Sequence, residues 1–300
     1  MKTRIGIVTF ILLIFVIGGL AQSGFEIPIS QLPFARIAVP HDIDGRCAAN
    51  GAIDNNVYHY AQNAAKNNFA VKGIPVALAF NDFSRLQAAG EKKIAAGEIV
   101  LQGKYPADRS RLRDLIKVRG RSVGEGSLVT LDAYVFSSQY ANVKYNRDSK
   151  NRPGRGEAVN CNNPELDWND IHIALSDNSR GETDECTTVT AELSPHYRPA
   201  LWDRFHDGLN AEIEAILPGL LRRRVSSHKA KGDKPLYVRL TGPLFYDASH
   251  TPCKFDGNKI TERHGPERRA IWEIHPVYRI QARVRNRWVD FDQWANGREQ

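Results

Sequence analysis

Residues 271–284 read IWEIHPVYRIQARV. Trp272, Ile274, Pro276, Tyr278, Ile280, Ala282 and Val284 share one parity, while Glu273, His275, Arg279, Gln281 and Arg283 share the other. Successive side chains of a strand point to opposite faces, so this period of two predicts a strand with one buried and one polar face. The same period recurs upstream. Residues 128–136 place Val129, Leu131, Ala133 and Val135 together, and residues 170–175 place Ile171, Ile173 and Leu175. Residues 186–194 place Val189, Ala191 and Leu193, and residues 236–246 place Val238, Leu240 and Leu244 around Gly242. Between the third and fourth runs, Leu201, Phe205, Leu209, Ile213 and Ile216 recur at helical spacing, ended by Pro218 and Gly219.

Three strands, one helix and two strands is the order of an OB-fold, whose small barrel fills its interior with every second residue. The expected class is α+β, mostly β. An OB-fold-like five-stranded barrel covers 119–285, with one helix between strands 3 and 4. Another small α+β sheet is the alternative. Gly126 and Gly242 fall where strands bend at barrel corners. The segments DIHI (170–173), LTGPLFYDASH (240–250) and WEIHPV (272–277) resemble a group of exported bacterial proteins with an OB-fold-like domain and no assigned reaction. The resemblance supports the fold and transfers no catalytic residue.

Residues 1–23 read as a secretory signal: Lys2 and Arg4, the apolar run 5–17, then Gly18, Gly19, Ala21 and Ser23. An uncleaved anchor is the competing reading. Export to the periplasm or beyond is expected, with no integral membrane domain once the signal is removed. Residues 24–118 read as a mixed, partly helical region. One helix is expected over 55–68, presenting Val57, Tyr60, Ala61 and Ala64; a second is capped by Asn81 or Asp82. A third spans 108–118 on Leu112, Leu115 and Ile116, and short strands lie near 74–76 and 97–101. Residues 286–300 form a tail whose Trp288, Phe291 and Trp294 suit a helical stripe.

The four cysteines, Cys47, Cys161, Cys186 and Cys253, form no C-x-x-C pair, and in an oxidising compartment they read as two disulfides. Four cysteines allow three connectivities. Barrel topology selects one: strands 3 and 5 run parallel, which brings Cys253 near Cys186 and leaves Cys47 for Cys161.

The chain of 300 residues carries a formal charge of +7, unevenly spread. Residues 140–156 hold Lys144, Tyr145, Arg147, Lys150, Arg152 and Arg155. Residues 248–270 hold Lys254, Lys259, Arg263, Arg268 and Arg269, and 222–234 add six more basic residues. The first two are the loops that flank the OB binding face. Basic loops with aromatics suit a polyanion, single-stranded nucleic acid ahead of anionic polysaccharide. Tyr134 and Phe136 are stacking candidates on the barrel itself. The expectation is therefore a nucleic-acid-binding protein with no cofactor, rather than an enzyme.

A second constellation supports a metal-dependent hydrolase of the phosphodiesterase or nuclease type. Asp170 and His172 on strand 2, Glu192 on strand 3, and Glu273 and His275 on strand 5 all take the polar parity. His172, Glu192, Glu273 and His275 are the catalytic candidates. With Asp170 they are also the candidate ligands for zinc or manganese. His196, Asp247 and His250 lie at strand ends nearby. The competing readings are buried cross-strand polar pairs and a structural envelope protein. No G-x-S-x-G elbow, phosphate-binding P-loop or dinucleotide fingerprint is present.

Overall fold

Alternation in sequence becomes a closed barrel in space. The computed structural model describes residues 42–52, 55–141, 156–179, 184–199, 201–202, 236–257 and 259–296. The signal expected at 1–23, the basic residues from Lys144 to Arg155, the helix expected after Trp202 and the basic stretch 222–234 lie outside the described residues.

The strands are β1 (Val76–Leu78), β2 (Leu101–Gln102), β3 (Tyr105–Pro106), β4 (Ile116–Val118), β5 (Arg121–Val123), β6 (Leu128–Tyr140) and β7 (Ile171–Ser176). They continue with β8 (Val189–Leu193), β9 (Tyr237–Tyr246), β10 (Lys254–Asp256), β11 (Lys259–Glu262), β12 (Trp272–Ile274), β13 (Arg279–Val284) and β14 (Arg287–Asp290). The ring β6-β7-β8-β12-β9 closes through pairing of β9 with β6. Its one parallel contact, β8 with β12, is the strand 3 to strand 5 contact of an OB-fold-like barrel. β1 adds parallel to β6, and β13 and β14 extend the sheet beyond β9.

The apolar parity fills the barrel. Val129, Leu131, Ala133, Ile171, Ile173, Leu175, Val189, Ala191, Leu193, Val238, Leu240, Ile274, Ile280 and Ala282 are all essentially inaccessible and belong to one core. Two departures concern the fifth strand. Pro276 has no N–H to donate, and the strand divides there into β12 and β13. Val284, at the end of the apolar parity, is exposed because only the β14 hairpin lies beside it. Gly242 faces this break: a Cβ there would lie 2.4 Å from the Pro276 carbonyl oxygen.

The N-terminal region differs more. Helix α1 (Val57–Lys66) is capped by the Asn56 side chain, which accepts from the N–H groups of Tyr58 and His59. Its buried residues are Gln62, Asn63 and Lys66, whereas Val57 is 65% exposed. The expected stripe of Val57, Tyr60, Ala61 and Ala64 is therefore corrected: the helix docks its polar face, because the surface beneath it is charged. Helix α2 (Phe80–Ala95) begins before Asp82, whose carboxylate reaches back to the N–H of Ala79. The third expected helix is replaced by a 3-10 turn, Arg109–Leu112, and the β4–β5 hairpin. The β-branched Ile116, Val118 and Val123 and positive φ at both Arg119 and Gly120 favour that hairpin. In the tail, Trp288 lies on β14, while Phe291 and Trp294 lie on a helix, Phe291–Asn296, and are buried.

Both disulfides take the pairing that barrel topology selects, Cys47–Cys161 and Cys186–Cys253. They are compatible with an oxidising compartment. Among the described residues no helix is long and apolar enough to cross a membrane.

Candidate functional site

The polar parity of β7, β8 and β12 faces out of the barrel, yet it is buried. Glu192 and Glu273 are inaccessible, and Asp170 and His275 are 1% exposed. The cover is α1 together with the 3-10 turn Ala158–Asn160, which the Cys47–Cys161 bridge ties to the segment beginning at Asp42. Register brings His172 directly opposite Glu192 on the neighbouring antiparallel strand. The parallel β8–β12 pair sets Glu273 opposite Thr190, two residues before His275 reaches Glu192.

All five sequence candidates therefore belong to one cluster. Glu192 is its centre: Oε1 lies 3.0 Å from His172 Nε2, and Oε2 lies 3.0 Å from His275 Nδ1. Asp170 Oδ2 lies 3.7 Å from His275 Nε2. Glu273 pairs with Arg268. Two members escaped the sequence reading. Lys66 brings its Nζ to 3.0 Å from Glu192 Oε2 and 3.7 Å from both Glu157 and Asp170. Glu157 lies 3.8 Å from His172 and accepts from the N–H of Asp170 at 2.9 Å. The adjacent Asp247–His250 pair, separated by 3.5 Å, is reached by Gln62 of α1, which donates to Asp247 at 3.0 Å. The sequence signal for Lys66 was the polar i, i+1, i+4 set Gln62, Asn63 and Lys66. Glu157 stands four residues before a cysteine but carries no pattern of its own.

The electrostatics follow from burial. Five carboxylates, Glu157, Asp170, Glu192, Asp247 and Glu273, share a nearly dry region with two fixed cations, Lys66 and Arg268. Burial and the neighbouring Glu157 hold the Asp170 carboxyl well above its usual range; burial and Glu192 do the same to Glu273. Burial also pushes Glu157 up, but the Lys66 ammonium and the His172 imidazole outweigh it and hold the group at about 2. Glu192 and Asp247 are likewise held low against burial, Glu192 by His172 and Lys66, and Asp247 by Lys66 and His250. Burial, reinforced by Arg268, lowers His250 to about 4, and burial also lowers His275. Both imidazoles are thus neutral at pH 7, the form that ligates metals or accepts a proton.

The close approaches are ion-pair contacts rather than well-directed hydrogen bonds. Asp170 Oδ2, His172 Nε2, both Glu192 carboxylate oxygens and both His275 ring nitrogens are buried with no partner in hydrogen-bonding geometry. Native proteins rarely leave such atoms unsatisfied. Two sets of ligand atoms share Glu192: Glu157, His172 and Glu192, and Asp170, Glu192 and His275. Within each set the atoms lie within 4.8 Å of one another. A mixed imidazole and carboxylate set of this kind suits zinc or manganese.

The basic residues of 248–270 are placed differently. Arg268 is 2% exposed and faces Glu273, so it forms no part of an outer rim. Arg263 pairs with Asp184 and Glu267, Lys254 with Glu262, and Arg269 donates to the carbonyl of Thr187. Lys259 is exposed on the β10–β11 ribbon. Comparison with protein-family models, curated proteins and solved structures finds no match.

Proposed function

We propose that this protein is a metal-dependent hydrolase acting on phosphodiesters, with Glu192, His172, His275, Asp170 and Glu157 holding a zinc or manganese ion. The observation that carries the reading is the convergence of imidazole and carboxylate ligand atoms on Glu192, within 4.8 Å of one another in each set. They present the donor types of a catalytic metal site in a region with more carboxylates than fixed cations. A divalent ion bound there would supply Lewis-acid polarisation of a phosphoryl oxygen. The rest falls to the chain. Lys66 offsets the charge of the carboxylates, Asn160 orients Asp170 through a 3.1 Å hydrogen bond, and His250 is neutral and half-buried, placed to accept a proton. The positive balance of the chain favours an anionic phosphodiester over an uncharged carboxylic ester or amide.

The test is calorimetric titration of the protein with Mn²⁺ and Zn²⁺, paired with hydrolysis of bis(p-nitrophenyl) phosphate. The expected result is saturable binding and turnover, both lost in Glu192→Gln and His172→Ala. Absence of metal binding in the native chain would overturn the reading.

A second reading, binding of a polyanion through 140–156 and 248–270, is favoured by the β10–β11 ribbon, which is exposed except at Ile260 and carries Phe255 at the surface. Affinity for an oligonucleotide that persists in EDTA and is lost when Lys254 and Lys259 are neutralised would identify it.

A further inference from the structure

The half of the barrel exterior away from the buried cluster carries a different pattern. β6, β9, β13 and β14 are consecutive in the sheet, and their outward residues form transverse rows. One row holds Tyr134 opposite Tyr237, and Arg283 opposite Trp288. The two tyrosine rings lie 4.5 Å apart between centroids, and Tyr237 lies 5.5 Å from Trp288. The Arg239 and Arg283 guanidinium groups sit 4.5 and 5.0 Å from the Trp288 ring. The three aromatic residues are each only half-buried, so no element of the described chain covers the row.

Charge on this face is also specific. Arg239 is neutralised by Asp132, and Arg279 by Asp290. Arg283, Arg285 and Arg287, around the β13–β14 turn, are exposed and have no ion pair among the described residues. We infer that this face binds single-stranded nucleic acid, its bases stacking along Tyr134, Tyr237 and Trp288 and its phosphates meeting Arg283, Arg285 and Arg287. Aromatic rings beside unneutralised arginines match the two halves of a nucleotide, and guanidinium planes stack on bases as rings do. A sulfated polysaccharide would engage the arginines, but its puckered rings match the tilted aromatic row less well than planar bases do. The surface is separate from the metal ligands, and the inference does not rest on the hydrolase reading.

The probe is fluorescein-labelled oligothymidylate, followed by anisotropy in EDTA so that no metal-dependent cleavage intervenes. Binding should weaken as salt rises, and Arg283→Gln/Arg285→Gln/Arg287→Gln should flatten that dependence by about three phosphate contacts' worth. Trp288→Ala should weaken binding by about tenfold, and Trp288→Phe should restore most of it. If Trp288→Ala is unfolded by circular dichroism, Tyr134→Ala supplies the stacking test at the other end of the row. No binding at low salt, affinity indifferent to these substitutions, or tighter binding of heparin than of oligothymidylate would each overturn the inference. Failure here leaves the metal titration untouched, since that experiment uses neither EDTA nor nucleic acid.

Discussion

Lys66 and Glu192 meet at 3.0 Å, Nζ to Oε2, beneath a helix that has turned its polar side inward. The same carboxylate oxygen lies 3.0 Å from His275 Nδ1. The ammonium is thus the built-in counter-charge of the cluster, drawn from an element outside the barrel. Burial alone would lower its pKa; Glu192, Glu157, Asp247 and Asp170 together hold it well above the usual value, and it stays charged.

Replacing Lys66 by Met should therefore leave the carboxylates without their cation. The expected loss in metal-free protein is about 3–5 kcal/mol, the range for removing one partner of a buried pair. Manganese should recover part of that loss in Lys66→Met by supplying charge to the same oxygens. Urea unfolding with EDTA and with Mn²⁺ measures both. Equal stability of variant and native protein in EDTA would show that Lys66 is not the counter-charge.

Acid sensitivity follows from the carboxyl groups held low. Glu157 at about 2, with Glu192 and Asp247, binds fewer protons folded than unfolded. Their stabilisation is complete above the unfolded carboxylate range near pH 4 and is lost as the pH falls through their folded values. Asp170 and Glu273, held high, lose stability as the pH rises; His250 and His275, held low, lose it as the pH falls. Between about pH 5 and 7 these two sets oppose each other. Metal-free protein should therefore depend less on pH there than either set alone would give, and show a steep fall below about pH 4. A steady decline from pH 7 to 5 would show that Asp170 and Glu273 ionise normally.

The two disulfides should separate by function. Cys47→Ser/Cys161→Ser opens a link between residues 114 apart and should cost about 2–5 kcal/mol. It also frees the 3-10 turn whose Asn160 holds Asp170 and Glu157, so metal affinity should fall by about 10–100-fold. Cys186→Ser/Cys253→Ser should lower stability while leaving metal affinity near native. Titration of both variants at a temperature where each is folded decides it.

Gly242→Ala tests the strand break. The new methyl meets the Pro276 carbonyl and the Ile274 side chain, both fixed in the barrel wall. Overpacking of this kind costs about 1–3 kcal/mol, and relief by outward movement of 275–277 would carry His275 away from Glu192. A fall in melting temperature accompanied by weaker Mn²⁺ binding is expected; native values for both would place the strain elsewhere.

The barrel was legible because its interior and exterior differ in polarity at every second residue. Val129, Ile173, Ala191, Leu240 and Ile280 all face inward as the alternation requires. The His172–Glu192 contact followed from pairing two such strands, and Cys186–Cys253 from the parallel contact of β8 and β12. Helix α1 was misread for a related reason. Hydrophobic periodicity assumes that a helix buries apolar residues, and α1 covers a charged surface with Gln62, Asn63 and Lys66. Glu157 joins the cluster through a loop and a disulfide, long-range constraints with no local period.

The cluster takes Lys66 from α1, Glu157 from a loop, Asp170 from the residue before β7, Glu192 from β8, and His275 from the residue after β12. Only a piece that reaches from Lys66 to His275 holds all five. A nascent chain released before His275, or one clipped between these residues and allowed to separate, lacks the assembled cluster, so its formation reports that this span is intact.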